Sequence, residues 1–262
     1  MTPIKTVTDD LRGFIEFLEE QHPEEVVRIR KEVDPEFGVS GILDRLEKDD
    51  KFPLVIFENI KGSSMPLIAN MHASVSRLQL ALGMEKASVR EFLEEFHRRE
   101  SNPIPPEMVD TGPVKEVIKT GEAVDINEMP TCIYHERDAG KYITAGLCLT
   151  RDPDSGVDNI GVYRLMVQGR NRLGIQLSET AHGHYIWKKF ENRGAPCPMA
   201  VILGHHPAFF MGALTYMPLE TDEIQIAGGI LQKPVQLVRC ETIPLDVPAD
   251  AEIILECEIL PH

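Results

Sequence analysis

Three side chains far apart along the chain carry the chemistry to be explained first: Asn159, His182 and Glu223. Between them they offer an amide oxygen, an imidazole nitrogen and a carboxylate. That mixed set of oxygen and nitrogen donors suits a hard or borderline divalent ion, manganese or magnesium, better than zinc. Asn159 opens the run Asn-Ile-Gly-Val-Tyr-Arg, and Arg164 closes it inside what the apolar spacing reads as a strand. A guanidinium is seldom buried without a partner, so an inward-facing Arg164 would fork onto a carboxylate or phosphate. In the opposite register it would be an ordinary surface residue. Together these residues read as the wall of a metal-bridged, phosphate-containing cofactor site.

Plainer readings stand beside these. His184 lies two residues from His182 and competes with it, and Glu220 and Asp222 rival Glu223 inside an acidic run that by default is a solvated turn. His205 and His206 precede Pro207 in a turn and read as structural. Gly161 is either a bulge or a point of close cofactor approach, and Gly228-Gly229 reads as tight packing. Trp187, at helical spacing from Phe190, reads as core.

The elements that must position these residues fall into two groups. Asp9-Asp10 followed by Leu11, Phe14, Ile15 and Leu18 predicts a capped amphipathic helix that Pro23 ends. A strand over 26–33, a helix over 40–46, strands over 53–60 and 66–70, and helices over 74–82 and 88–99 follow. This alternation predicts a small α/β domain over residues 1–112. The proline-rich stretch 101–113 closes it and reads as a semi-rigid linker. Beyond it, over 113–262, short β-like runs dominate: 142–150, 161–168, 199–203, 235–240 and 252–259. They are separated by turns such as Asp152-Pro-Asp-Ser-Gly, with one helix near 183–192, and the pattern predicts a barrel-like β domain. The fold class expected is α+β.

Bulk composition excludes several functions. The chain has 262 residues, 27 basic against 42 acidic, for a formal charge of −15. Such an acidic surface is ill suited to a nucleic acid backbone or an anionic membrane. No apolar run is long enough to span a membrane, and the start has no signal-peptide core. Five scattered cysteines without a Cys-x-x-Cys pair read as reduced thiols of a cytoplasmic protein.

From about Asn127 to Pro261 the sequence resembles the UbiD family of decarboxylases, which use prenylated FMN. Six segments in order carry the resemblance: Asp138-Ala-Gly-Lys-Tyr-Ile-Thr144, Asp152 to Gly156, Asn159 to Arg164, Gly204 to Pro207, Asp222-Glu-Ile-Gln-Ile-Ala-Gly228, and Val247 to Glu256. The resemblance implies a split β-barrel, like that of flavin reductases, holding the prenylated flavin. It implies that Asn159, His182 and Glu223 bind manganese (or magnesium) at the cofactor phosphate, with a potassium ion nearby; the Ile-Ala-Gly after Glu223 selects it over its neighbours. Thr144, Gly161, Arg164, His182, Met217 and Pro218 would contact the cofactor, and Arg164 would also orient the substrate carboxylate as a catalytic residue. The implied substrate is an aromatic or α,β-unsaturated carboxylic acid. A flavin prenyltransferase would supply the cofactor, and the chain would assemble into a homo-oligomer.

One departure limits the expectation. The family's Glu-Gly-Pro-x-Gly-Glu loop, with its acid/base glutamate, does not occur in this sequence, and Cys257 replaces a usual glycine. The resemblance therefore implies a truncated chain, a split-gene subunit or a fragment. It would be impaired alone for want of a proton donor and would need a complementing C-terminal chain.

Overall fold

A computed structural model describes residues 8–261. The Met1–Val7 start, read above as lacking a signal-peptide core, and His262 lie outside the described residues. Helix α1 (Leu11–Gln21) is capped by Asp10, whose carboxylate accepts from the Gly13 N–H at 2.7 Å. Strand β1 (Val26–Ile29), helix α2 (Gly38–Lys48) and strands β2 (Leu54–Phe57) and β3 (Leu67–Ala69) follow. Two helices complete this half: α3 (Val75–Ala81) and α4 (Val89–Glu100), the latter opened by a Ser88–Glu91 capping box. The sheet runs β1-β2-β3, parallel then antiparallel. Central β2 is buried on both faces: Leu54 and Ile56 pack under α1, Val55 and Phe57 against α2. Each such side chain contributes roughly 1.5–3 kcal/mol on burial.

The stretch expected to be a linker is built into the second half. Strand β4 (Glu107–Met108) pairs in parallel with a later strand, and the Ile104 N–H donates to the Gln225 carbonyl at 3.0 Å. Next come strands β5 (Tyr142–Ile143), β6 (Leu147–Arg151), β7 (Asp158–Val162), β8 (Leu165–Gly169) and β9 (Arg172–Ile175), and helix α5 (His182–Glu191). Strand β10 (Cys197–Leu203), helices α6 (Pro207–Ala213) and α7 (Glu223–Leu231), and strands β11 (Gln236–Arg239), β12 (Asp246–Pro248) and β13 (Ile253–Ile259) complete the chain.

Three sheets result: β13-β10-β6-β7, β5-β8-β9 and β12-β11-β4. Among the described residues no ring of strands closes into a barrel; instead two sheets pack face to face. The four-stranded sheet carries α6 and α7 on one face, through Leu147, Leu149, Ile160 and Ile202. Its other face meets β5-β8-β9 through Cys148, Met199, Val201, Ile143 and Leu165.

Two expected strands are each broken in two, and the breaks coincide. The run 142–150 splits at 144–146, and the run 161–168 splits at Tyr163-Arg164. On one side of the breaks β6 pairs with β7; on the other β5 pairs with β8. The same long hairpin thus turns a corner from one sheet into the next. A Cβ on Gly146 would lie 2.5 Å from Val201 Cγ1, so only glycine lets the corner seat this closely.

Candidate functional site

Strand β7 is an edge strand, and its free edge organises the site. Successive strand residues face opposite ways. Asp158 pairs with Arg151 of β6 and takes its guanidinium in a two-pronged contact at 2.7 and 2.9 Å. Asn159 pairs with Thr150 on the opposite face, where the Thr150 hydroxyl is buried without a partner.

Glu223 reaches this edge from the first turn of α7. It is 3% exposed; one carboxylate oxygen accepts from the Asn159 amide at 2.9 Å, the other from the Ile160 N–H at 3.3 Å. Burial is the main cause that lifts its pKa to about 7, against the pull of those hydrogen bonds, and nearby Asp222 adds to the rise. Of its rivals, Asp222 spends its carboxylate capping the helix at the Ile224 N–H, 2.9 Å, and Glu220 is exposed.

Helix α5 brings His182 to the same neighbourhood. The Gly183 N–H donates to the Tyr163 hydroxyl at 3.2 Å. At its other end Lys189 reaches Asp152, at 2.6 Å, in the Asp152–Gly156 turn. A Cβ on Gly183 would sit 2.5 Å from the Tyr163 hydroxyl oxygen, and one on Gly161 would sit 2.8 Å from it. Tyr163 therefore welds helix to strand, and both glycines leave room for its ring. The motif containing Tyr163 is conspicuous in the sequence, but a tyrosine within it signals no such role. His182 is half-buried, its ring 6.2 Å from that of Tyr216 in the loop leading to α7. His184 instead turns edge-on to Trp187, centroids 5.3 Å apart. Trp187 is core, as its spacing indicates.

Arg164 departs from expectation. It lies on no strand and is not buried: it occupies the corner between β7 and β8, exposed, its guanidinium 5.0 Å from the Tyr142 ring centroid. The corner is the reason, since the chain there leaves one sheet before joining the next. Thr144, also exposed, sits at the matching corner and meets the Tyr134 hydroxyl at 3.4 Å. Met217 is half-buried and Pro218 exposed, both in the loop before α7.

The donor set fits a hard divalent cation. A buried carboxylate, an amide that offers its oxygen when turned end for end, a spare threonine hydroxyl and an imidazole on the adjoining helix end are oxygen-rich. Among the described residues no three His, Cys, Asp or Glu side chains group as a metal centre. The thiols are free and mostly buried, away from such a role.

A cleft of about 2600 Å³ opens between residues of the first half of the chain and residues of the second. Ile56, Leu67 and Ile68 of the first half line it, together with Tyr134, Tyr142, Thr144 and, on β13, Leu255 and Cys257. Exposed Val117, Ile118 and Leu260 also border it.

Residues 107–262 match the model of the 3-octaprenyl-4-hydroxybenzoate carboxy-lyase Rift-related domain, and residues 15–96 match the N-terminal domain of the same carboxy-lyases. The chain belongs to the UbiD family. Among its relatives, the anhydromevalonate phosphate decarboxylase of Methanothermobacter thermautotrophicus is 33% identical over 90% of this chain and 53% of its own. The UbiD-class enzyme HmfF of Pelotomaculum thermopropionicum, solved with FMN, is 36% identical with a TM-score of 0.88, over 96% of this chain and 55% of that one. An evolved dimeric form of it, solved with prFMN, gives 35% and 0.89, over 97% and 58%. The closed form of Sedimentibacter hydroxybenzoicus vanillic acid decarboxylase gives 30% and 0.91, over 97% and 56%. The chain spans about half the length of the curated relatives it matches. Its mixed α/β fold is that of UbiD-class enzymes. No helix among the described residues is long and apolar enough to cross a membrane.

Proposed function

We propose that this chain is the cofactor-holding part of a UbiD-type non-oxidative decarboxylase acting on an aromatic or α,β-unsaturated carboxylic acid. The observation that carries the reading is Glu223: a carboxylate buried at a sheet edge, with no cationic side chain among the described residues bonded to it, amid other oxygen donors. Buried charge of that kind calls for a counter-ion. Asn159, His182 and Glu223 would hold manganese or magnesium, and through it the phosphate of prenylated FMN, with potassium as a second cation.

When bound, prenylated FMN supplies the electrophilic partner that accepts the electrons of the leaving carboxylate. The protein's share is placement and charge. Thr144, Gly161, Met217 and Pro218 would line the flavin. Arg164, free at the corner, would orient the substrate carboxylate, and Tyr163 would keep His182 and Asn159 in register. Proton delivery is assigned to a complementing polypeptide that carries the family's Glu-Gly-Pro-x-Gly-Glu loop. The cleft supports such a partner: it exceeds a small-molecule site several-fold and runs along β13, whose outer edge pairs with no described strand. Unpaired thiols are in keeping with a reducing cytoplasm.

The test mixes this chain with a polypeptide carrying that loop, prenylated FMN and manganese, and follows CO2 release from a panel of unsaturated acids. Release from the mixture and from neither part alone is expected. Flavin and manganese uptake without CO2 release would instead make the chain a non-catalytic cofactor-binding subunit. Failure to take up either would sink both readings.

A further inference from the structure

We infer that Arg99, with the backbone of residues 99–104, is a positioning device for Glu223; this rests on the reading of Glu223 as a metal ligand. Glu223 stands in the first turn of α7, and Arg99 grips the last. The Arg99 guanidinium, wholly buried, donates to the Ile230 carbonyl at 3.0 Å and the Leu82 carbonyl at 2.9 Å. Its Nε donates to Glu95 at 2.8 Å, and the guanidiniums of Arg98 and Arg99 hold that carboxyl near 2. A cation at a helix C-terminus meets the negative end of the helix dipole as well as its free carbonyls.

Between the two ends the helix lies directly on the same segment. A Cβ on Gly228 would fall 2.5 Å from the Ile104 carbonyl oxygen; one on Gly229 would fall 2.7 Å from both the Arg99 and Asn102 carbonyl oxygens. The Ile104 N–H closes the contact onto the Gln225 carbonyl at 3.0 Å. On the opposite flank a Cβ on Gly212 of α6 would lie 2.5 Å from Ala227 Cα. Held at backbone distance on both sides and gripped at its end, α7 can neither roll nor slide without overlap. A helix is stiff, so a shift at Ile230 carries to Glu223, about 10 Å away along the axis. Metal sites tolerate ligand displacements of only a few tenths of an ångström.

Arg77 provides a control built into the same fold. It too is wholly buried and forks onto backbone carbonyls, those of Met71 at 2.9 Å and Phe52 at 3.0 Å, and onto Glu25 at 2.6 Å. All those partners lie in the first half of the chain, and none is on α7.

The experiment titrates the protein with Mn²⁺ in the presence of FMN and follows free Mn²⁺ by its EPR signal, alongside thermal unfolding. Arg99→Lys and Gly229→Ala are expected to weaken Mn²⁺ binding about tenfold or more, the scale of a lost support behind a metal ligand. Arg77→Lys is expected to lower thermal stability comparably and leave Mn²⁺ binding unchanged. Should Arg99→Lys not fold, Gly229→Ala decides. Wild-type Mn²⁺ affinity in the Arg99 and Gly229 variants, or equal weakening in Arg77→Lys, would overturn the inference. A Glu223→Gln protein that bound Mn²⁺ as tightly as wild type would instead remove the metal reading itself.

Discussion

The two ends of strand β7 are built to different standards. Around Asn159 the backbone and the acid are held: Glu223 is bonded to amide and backbone, α7 is wedged between backbones, and Tyr163 ties α5 to the strand. A few residues on, Arg164 stands exposed at the corner, against the ring of Tyr142, which borders an open cleft. The difference teaches that a site can be pre-organised where it meets a fixed charge and unfinished where a second surface must complete it. Pre-organisation pays in packing and hydrogen bonds within the chain, whereas the exposed corner gains its order only on contact.

The largest expected effect tests whether the cleft is loose throughout. In its wall His72 and His205 both stack on Phe210, centroids 3.9 and 5.5 Å away, and the neighbouring His206 caps α6 through the Ala208 N–H. Desolvation lowers His72 and His205 to about 4 and His206 to about 3. Unfolded histidines titrate near 6.5, so between that value and pH 4 the unfolded chain binds more protons. Stability is therefore full above about pH 6.5 and falls steadily toward pH 4, by up to about 3 kcal/mol per histidine. Urea unfolding across that range should show the loss, and a flat profile would mean the seam is open to water.

Glu223→Ala probes the fixed end. It should lower manganese affinity by more than about a hundredfold, beyond the loss typical of a supporting residue, with direct metal titration as the check. Gly183→Ala comes next. The added methyl meets the Tyr163 hydroxyl, so about 1–3 kcal/mol of stability should be lost. Part of that should return in a Tyr163→Phe background, a coupling that a double-mutant cycle measures. The smallest effect belongs to the corner: Arg164→Ala should change stability by less than about 0.5 kcal/mol, while weakening carboxylate-substrate binding in the completed enzyme. A large stability loss there would erase the contrast between the two ends.

Much of this was legible in the residues. The capped helices α1 and α4, buried β2, the helix that carries His182 and the core position of Trp187 all follow from spacing and caps. The preference for Glu223 over Asp222 rests instead on the family-like Ile-Ala-Gly that follows it. Other features were hidden for physical reasons. Helix α7, Glu-Ile-Gln-Ile-Ala-Gly-Gly-Ile-Leu, is apolar nearly all round, so no polar face reveals its period. The strands over 142–150 and 161–168 read as continuous because a corner leaves no mark on alternation, and Arg164 was placed on a strand for that reason. The stretch 101–113 has the composition of a linker but spends its backbone on α7 and β11.

By itself the sequence determined many of the local elements, the acidic surface, the family segments and the kinds of donor atom present, because these depend on side-chain chemistry and short-range period. Only the tertiary structure decided that Glu223 meets Asn159 across the edge of β7, that Tyr163 needs a glycine twenty residues on at Gly183, and that Arg164 points outward. Those are matters of register and close backbone approach between segments 20 to 130 residues apart, and no local pattern encodes them.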